Sequence, residues 1–245
     1  TVQPSTVTAG VAIAPAPQVT VQDSVGNTVT ASTAGITLAI GTNPASGTLS
    51  GTTTVAAVAG VAPFSNLTID KVGTGYTLTA TAPSLTGATS AAFGVTVAAA
   101  AAVAFTTQPS TVVAGAAISP AVVVAVRDAF GNVATGYTSA VTLAIGANPG
   151  SATLSGTPTV NAVAGVATFG DLTLDHTGTG YTFTAASGAL TGATSTAFDV
   201  TAAAPAAIGL TSGNNQVGTV GLALAAPLIV FVQDALGNGV PGSTV

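Results

Sequence analysis

Residues 178–185 read Gly-Thr-Gly-Tyr-Thr-Phe-Thr-Ala, which indicates a half-buried β-strand following a glycine-rich corner. Alternation places Tyr181 and two further apolar side chains on one face, which we expect to point into a core. Residues 73–80 repeat the pattern as Gly-Thr-Gly-Tyr-Thr-Leu-Thr-Ala. We interpret Tyr76 and Tyr181 as structural tyrosine corners, whose hydroxyls bond back to upstream backbone. The alternative, a platform for stacking sugars, is disfavoured at a half-buried corner.

This stretch belongs to a sequence repeat with an offset of 105 residues. Gln-Pro-Ser-Thr-Val at 3–7 recurs at 108–112, and the later landmarks keep the offset without gaps. A third copy begins near Ile208, so that the chain begins and ends inside repeats. Either a longer protein or strands from a neighbouring subunit would complete the third copy. The predicted domains are 1–102, which lacks its opening strand, 103–207, which is complete, and 208–245, the first third of a repeat.

The complete copy consists of short apolar runs separated by Gly, Pro, Asn and Ser signals. In the sixth run, alternation places Leu172 and Leu174 inward, on the same face as Val166. Seven or eight strands in about 105 residues are typical of a two-sheet sandwich. The predicted fold class is therefore all-β, with tandem immunoglobulin-like Greek-key β-sandwiches. The predicted strands are 103–107, 111–114, 121–128, 139–145, 158–163, 166–174, 181–186 and 193–201.

The composition agrees with this fold and excludes several functions. Charged residues make up 4% of the chain and hydrophobic residues 48%, with a net charge of -5. Lys71 and Arg127 are the only Lys or Arg side chains, which is too few for the phosphate contacts of a nucleic-acid partner. The longest apolar runs, 97–105 and 222–232, are too short for a membrane helix of ~20 residues, so no membrane insertion is expected. Without cysteine, neither disulfides nor thiolate metal sites can form.

Three motifs of the complete copy carry a family resemblance. They are Val-x-Val-x-Asp-x-x-Gly-Asn at 124–132, Ala-Gly-Val-Ala at 164–167, and Gly-x-Gly-Tyr-Thr-x-Thr-Ala at 178–185. Together they resemble the bacterial Ig-like (Big-type) tandem repeats of large extracellular surface proteins, similar to invasin- and intimin-type adhesin stalks. The resemblance covers essentially the whole chain. It implies a role as stalk, spacer or assembly module, and no segment resembles a receptor-binding tip.

The seven acidic residues are all aspartates, and three of them share one repeat position ahead of Gly-Asn. At such a position the Asp side chain caps a turn, while Gly and Asn supply the unusual backbone angles. The alternative, a Ca²⁺ site at the domain junctions, is poorly served by one Asp per repeat, because Ca²⁺ takes about six to eight oxygen ligands. The predicted turn residues are Asp23, Gly26, Asn27, Asp128, Gly131, Asn132, Asp234, Gly237 and Asn238.

Asp171, Asp175 and His176 form the one sequence-local group suited to metal or acid-base chemistry. In the first copy Asn66 and Lys71 replace Asp171 and His176, so such a site would exist only once. No Gly-x-Ser-x-Gly elbow, phosphate-binding loop or dinucleotide motif is present. We therefore predict no catalytic, metal-binding or cofactor-binding residues, and no enzymatic activity.

The function favoured by these observations is a non-catalytic structural repeat of an extracellular bacterial surface fibre, filament, sheath or adhesin stalk. Sparse charge favours association, and two basic residues leave trypsin-like proteases few cleavage sites, so we expect an extracellular or cell-surface location. The expected partners are copies of the chain or adjacent Ig-like repeats, joined by domain packing or strand complementation. The predicted assembly joint lies in the third copy, at Leu222, Leu224, Leu228, Ile229, Val230 and Phe231.

Two other classes of function are open. A carbohydrate- or receptor-binding adhesin module would use exposed loop residues, for which Phe130, Tyr137 and His176 are the candidates. An appendage of a secreted enzyme would require a catalytic domain outside these residues. A surface glycan is a further expected partner, and Asn66-Leu67-Thr68 matches the acceptor pattern for N-glycosylation, which arises often by chance in a Thr-rich chain.

Overall fold

The structure is a computed structural model that describes residues 2–244. It is all-β and has the Ig-like β-sandwich fold, which confirms the predicted fold class. No helix within these residues is long and apolar enough to cross a bilayer. The chain divides into two compact units, of which the first contains residues up to 101 together with 127–135 and the second contains 102–126 together with 136–244. A turn encoded in the second repeat therefore belongs to the first unit.

The first repeat is built from short strands that are rich in β-branched residues, which suit a pleated, half-buried surface. The strands are β1 (Val7–Thr8), β2 (Gln18–Thr20), β3 (Gly35–Ile40), β4 (Leu49–Ser50), β5 (Thr54–Ala56), β6 (Val61–Pro63), β7 (Thr68–Ile69), β8 (Gly73–Tyr76), β9 (Leu78–Thr81), β10 (Ala88–Thr89) and β11 (Phe93–Thr96). A four-stranded sheet has the order β10-β9-β3-β5, and a three-stranded sheet has the order β1-β11-β8. Two further pairs, β2-β6 and β4-β7, complete the fold.

One core lies between the sheets of the first repeat. Alternate residues of β3 are buried and exposed, as expected for a sheet with one face against a core. The first strand pairs parallel to the last, with Val7 opposite Val95, whereas the other strand pairs are antiparallel. Each fully buried Leu, Ile or Phe side chain contributes about 1.5–3 kcal/mol to folding. The core includes Ile36, Leu38, Phe64, Leu67, Ile69, Tyr76, Leu78, Phe93 and Val95.

The second repeat follows the same plan and adds an opening strand. Its strands are β12 (Ala100–Thr107), β13 (Val112–Val113), β14 (Val122–Asp128), β15 (Ala140–Ile145), β16 (Leu154–Ser155), β17 (Thr159–Asn161), β18 (Val166–Phe169), β19 (Thr173–Leu174), β20 (Gly178–Tyr181), β21 (Phe183–Ala186), β22 (Ala193–Thr194) and β23 (Phe198–Thr201). The four-stranded sheet has the order β17-β15-β21-β22, and the three-stranded sheets have the orders β13-β23-β20 and β12-β14-β18.

The predicted run 166–174 is in fact two strands that belong to different sheets. Strand β18 pairs with β14, whereas β19 pairs with β16. Leu172 and Leu174 are buried as predicted, but in the first half the buried residues are Ala167 and Phe169 instead of Val166. The prediction that the whole run shares one face was wrong, because the chain changes sheets at 170–171 and the alternation shifts by one residue. The run 193–201 divides in the same way, into β22 and β23.

The third repeat is represented by a two-stranded hairpin. Strand β24 (Ala207–Ser212) pairs antiparallel with β25 (Ile229–Gln233), so that Leu210 lies opposite Val230. Large apolar side chains of this segment are exposed, among them Leu222, Leu228 and Ile229. The hairpin thus presents apolar surface that its own residues do not cover.

Candidate assembly site

The turn at 128–132 is closed by its own aspartate. The Asp128 carboxylate accepts hydrogen bonds at Oδ1 from the backbone N–H groups of Phe130 and Asn132, both at 2.9 Å. The Asn132 side chain donates to Asp128 Oδ2, also at 2.9 Å. Gly131 has a φ of 81°, a left-handed conformation that glycine adopts without steric cost. The Asp-x-x-Gly-Asn sequence therefore produces a loop that is closed by its own hydrogen bonds.

Residues of the first repeat surround this turn inside the first compact unit. The backbone N–H of Ala98 donates to Asp128 Oδ2 at 3.1 Å. Asn132 makes two more bonds, donating from Nδ2 to the Asp70 carbonyl at 2.8 Å and accepting at Oδ1 from Val72 N at 3.1 Å. Asp128 is only 3% exposed as a result. The turn is docked through its Asp and Asn side chains onto main-chain groups of the preceding repeat.

An apolar contact and a lysine complete this docking. The Phe130 ring lies over Gly10, where a Cβ would stand 1.9 Å from the ring atom Cζ. Gly10 also has a φ of 73°, so that both the contact and the backbone favour glycine at this position. Lys71 Nζ donates to the Phe130 carbonyl at 2.6 Å. Because this turn places an aromatic ring at its tip, its docking combines polar and apolar contacts.

The turn at 234–238 is docked in the same manner inside the second unit. Asp234 is 2% exposed and accepts at Oδ2 from Ala203 N at 3.0 Å. Asn238 donates to the Asp175 carbonyl at 2.9 Å and accepts from Thr177 N at 3.0 Å. A Cβ on Gly115 would lie 3.0 Å from Leu236 Cδ1, at the place where Phe130 covers Gly10 in the other turn. Ala203, Asp175, Thr177 and Gly115 each lie 105 residues after their counterparts, so one docking geometry occurs twice.

The turn at 23–27 has the same internal structure but is exposed. Asp23 Oδ1 accepts from Val25 N at 3.1 Å and from Asn27 N at 2.8 Å, and Asn27 Nδ2 donates to Asp23 Oδ2 at 3.0 Å. Within residues 2–244, the Asp23 carboxylate has no hydrogen-bond donor from outside its own turn. Val25 at the tip is 79% exposed. The turn thus forms without docking.

Hydrogen bonding keeps the docked aspartates ionised. Burial raises the pKa of Asp234, but bonds from Asn238, Ala203 and Leu236 outweigh it and lower the pKa to about 2. The pKa of Asp128 is also lowered, because bonds from Asn132, Ala98 and Phe130 outweigh desolvation. These N–H donors occupy the carboxylate oxygens that a Ca²⁺ ion would need. Residues 2–244 contain no group of three or more His, Cys, Asp or Glu side chains that could hold a metal ion.

The two tyrosines lie beside the docked turns. The Tyr76 hydroxyl donates to the Lys71 carbonyl at 2.9 Å, and the Tyr181 hydroxyl donates to the His176 carbonyl at the same distance. Both rings are fully buried, and burial raises the pKa of each hydroxyl. Lys71 stands between Asp70 and Val72, the two residues whose backbone groups bind Asn132. The tyrosine hydroxyl therefore fixes the loop that receives the next turn.

Of the three residues Asp171, Asp175 and His176, the structure pairs Asp175 with His176, whereas Asp171 braces a different loop. Asp171 accepts from Thr157 N at 3.0 Å and from Thr157 Oγ1 at 2.7 Å. Asp175 Oδ1 accepts from Thr153 N at 2.6 Å and lies 2.8 Å from His176 Nδ1. In the first repeat, Asn66 Oδ1 accepts from Thr52 N at 2.9 Å, as Asp171 does from Thr157 N. A residue that can be Asp or Asn at one position serves as a hydrogen-bond acceptor there, which fits a structural role.

The other predicted site residues lie apart from the docked turns. The Tyr137 hydroxyl is 2.7 Å from Ser187 Oγ, so its polar end is engaged within its own unit. The predicted assembly joint lies on and before β25 and is exposed. Its role in assembly remains a prediction. Exposure is 71% for Leu222, 46% for Leu224, 59% for Leu228, 49% for Ile229, 40% for Val230 and 43% for Phe231.

Sequence reasoning missed the groups that receive the turns, because most of them are main-chain atoms. The N–H of Ala98 and the carbonyl of Asp70 have no signature in the side-chain pattern. Two signals were nevertheless present in the sequence. The tip residue is apolar in all three turns, and Gly10 recurs as Gly115. An apolar turn tip together with a repeated glycine indicates a packed contact.

Comparisons with known proteins add little beyond the fold. No protein-family model matches the chain. No curated protein matches it either. Among solved structures, it is similar to domains 4–9 of the surface layer protein SbsC, with 18% identity over 90% of this chain and 31% of that chain, at a TM-score of 0.32. A β-glycosidase from Bacteroides vulgatus shows 13% identity over 65% of this chain and 20% of that chain, at a TM-score of 0.35.

Invasin, a bacterial integrin-binding protein, shows 15% identity over 99% of this chain and 47% of that chain, at a TM-score of 0.36. The chain thus spans less than half the length of each of these three proteins. With identities and TM-scores this low, none of the likenesses bears on function.

Proposed function

We propose that the chain is a non-catalytic structural array of a bacterial extracellular surface protein, of the kind found in fibres, filaments, sheaths or adhesin stalks. The observation that supports this most is the double docking of an Asp-x-x-Gly-Asn turn onto the preceding repeat. In both cases the bonds join side chains of one repeat to main-chain groups of another. A docked turn of this kind joins repeats in series through the protein's own hydrogen-bonding groups.

The chemistry of the docked turns fits a spacer built from repeats in series. The carboxylates stay ionised at any ordinary pH because their pKa values are lowered. Their oxygens bind N–H donors of the protein itself, so the contact does not depend on calcium. The sequence motifs that resemble Big-type repeats agree with this proposal, as do the sparse charge and the absence of cysteine.

Strand complementation is the second part of the proposed assembly. Apolar side chains of β25 and of the segment before it are exposed, whereas the counterparts of β25 on β14, Val124 and Val126, are fully buried. Further strands laid on this hairpin would cover these side chains and stabilise it. The predicted joint from Leu222 to Phe231 is proposed as the surface that receives them.

Immunogold electron microscopy of intact producing cells tests the location and the role together. Antibodies raised against the chain should label the surface of unpermeabilised cells along fibres or a sheath. Label that appears only after permeabilisation would contradict the proposal. Binding of the purified chain to a glycan array, lost in a Tyr137→Ala and His176→Ala variant, would instead favour the carbohydrate-binding module.

A further inference from the structure

The second docked turn ends in the only Asn-Gly pair of the sequence, Asn238-Gly239. The residues that follow the other two turns are Thr28 and Val133, and both are β-branched. Asn-Gly is the pair most prone to spontaneous deamidation, because glycine has no side chain to shield the backbone nitrogen that attacks the Asn amide. The two docked turns thus differ chemically at the asparagine on which docking depends.

The fold does not require glycine at position 239. Among residues 2–244, no atom beyond the adjoining residues lies within 4 Å of a Cβ placed on Gly239. Its backbone is not left-handed, in contrast to Gly237, which has a φ of 86°. A valine would therefore fit at this position, as Val133 does after the first docked turn. Glycine matters here for its reactivity and not for packing.

The backbone nitrogen of Gly239 is not engaged in the strand ladder. Gly239 forms an antiparallel bridge with Gln233, and the flanking hydrogen bonds are donated by Asp234 N and Val240 N, both at 2.9 Å. Gly239 and Gln233 are thus a non-hydrogen-bonded pair, in which neither N–H bonds across the ladder. Gly239 is also exposed, so that solvent can take up its proton.

Docking holds the Asn238 amide where it cannot react. Its Nδ2 donates to the Asp175 carbonyl at 2.9 Å and to Asp234 Oδ2 at 3.0 Å, and its Oδ1 accepts from Thr177 N at 3.0 Å. Asn238 is 5% exposed. Deamidation requires the side chain to turn toward Gly239 N and Nδ2 to leave, which breaks these bonds. The docked turn therefore protects Asn238, and local opening exposes it.

The reaction replaces a hydrogen-bond donor by an acceptor in the centre of the joint. The Gly239 nitrogen loses its proton and bonds to Asn238 Cγ, and the side-chain nitrogen leaves as ammonia. Water then opens the cyclic imide to aspartate or isoaspartate, so that no oxidant is needed. A carboxylate oxygen would then face the Asp175 carbonyl and the ionised Asp234 carboxylate. Two acceptors and a like charge oppose this arrangement, so the turn could not dock again.

We propose that Asn238-Gly239 is a site of spontaneous deamidation that opens the joint between the second and third repeats irreversibly. The docked turn protects the site, and each opening of the joint makes the asparagine reactive. The first joint, in which Val133 follows Asn132, lacks this reactivity and opens reversibly. This inference rests on the proposed joining of repeats by docked turns, and it adds that one joint accumulates damage in proportion to the time it spends open.

Timed incubation of the full chain in mildly alkaline buffer tests the proposal, with and without enough urea to open the second joint. Peptide mapping should show a gain of about 1 Da at Asn238, with isoaspartate as part of the product. The reaction should be at least about tenfold faster in urea, because modification of an open state follows its population. Asn132 is the internal control and should stay unchanged. Gly239→Val should keep the Ala203 amide docked and abolish the reaction.

The consequence of the reaction is tested with Asn238→Asp. The amide signal of Ala203 should move to its undocked position, whereas that of Phe183 in the core should stay unchanged. Equal rates with and without urea, equal rates at Asn132 and Asn238, or a docked Ala203 in Asn238→Asp would each overturn the proposal. The rate comparison does not depend on whether this variant folds. An undocked Ala203 in the unreacted chain would instead contradict the proposed joining of repeats.

Discussion

The turns at 23–27 and 128–132 have the same pattern and the same internal hydrogen bonds, yet one is exposed and the other is buried. Asp-x-x-Gly-Asn closes both loops with bonds of 2.8–3.1 Å. Three main-chain groups then hold the second turn, from Ala98, Asp70 and Val72. The comparison shows that the loop has the same internal hydrogen bonds whether or not it is docked. Docking therefore loses little conformational entropy in the turn.

Acid should give the largest effect, because it acts on both docked turns at once. An aspartate with a lowered pKa contributes stability above its unfolded pKa of about 3.9, and this is lost as pH falls through the folded pKa. For Asp234 the folded value is about 2, so docking should persist at pH 3 and be lost near pH 2. The amide shift of Ala203 reports this midpoint. A midpoint at or above pH 4 would contradict the claim that hydrogen bonds lower the pKa of Asp234 in the docked turn.

Removing one carboxylate should have a smaller effect and should separate the two turns. Asp128→Ala leaves the N–H groups of Ala98, Phe130 and Asn132 without their acceptor in a buried place, which should cost about 3 kcal/mol. Asp23→Ala exposes its donors to water and should cost much less. Urea unfolding of the first unit, monitored through the protected amides of its core, gives the loss of unfolding free energy in each variant. Equal losses in the two variants would mean that docking adds nothing to the turn.

The glycine under the phenylalanine ring tests the apolar part of docking. Gly10→Ala forces a left-handed backbone onto alanine and displaces Phe130, for a combined loss of about 2 kcal/mol. In a Phe130→Ala background the steric part disappears and about 1 kcal/mol should remain. The double-mutant cycle, from urea unfolding of the first unit, should therefore give clear coupling. Additive effects would show that the ring does not rest on Gly10 in solution.

Lys71 should have the smallest effect. Its bond to the Phe130 carbonyl is at the surface, and the equivalent position in the second repeat is His176. Lys71→Met should destabilise the first unit by about 0.5 kcal/mol, with little change in the Ala98 amide shift. A Lys71→His variant is the matched control, since it copies the second repeat. If the Ala98 amide signal moved to its undocked position in either variant, the lysine would be required for docking.

The fold was predictable because its determinants are local. Alternation over residues 178–185 identified the buried face, and Tyr181, Phe183 and Ala185 are indeed buried. The same reasoning was wrong over 166–174, since alternation cannot show where a chain leaves one sheet for another. Leu154–Ser155 was missed as a strand because two residues provide no period.

The candidate site was only half visible for a related reason. Asp128, Gly131 and Asn132 were identified as turn residues from their types and spacing. Their partners were not, because Ala98 contributes an N–H and Asp70 a carbonyl that every sequence would supply. Only the apolar tip residue Phe130 and the repeated glycine at position 10 indicated the contact in the sequence.

By itself, the sequence determined the repeat, which is read directly from matching residues. It also determined most of the strands and the closed turns, because these depend on neighbours within about ten residues. The tertiary structure decided which main-chain groups receive the docked turns. Asp23 and Asp128 have nearly the same local sequence, but of these two, within residues 2–244, only Asp128 meets the backbone of another repeat. The reason is physical: burial and hydrogen bonding to main-chain groups depend on what lies opposite a residue.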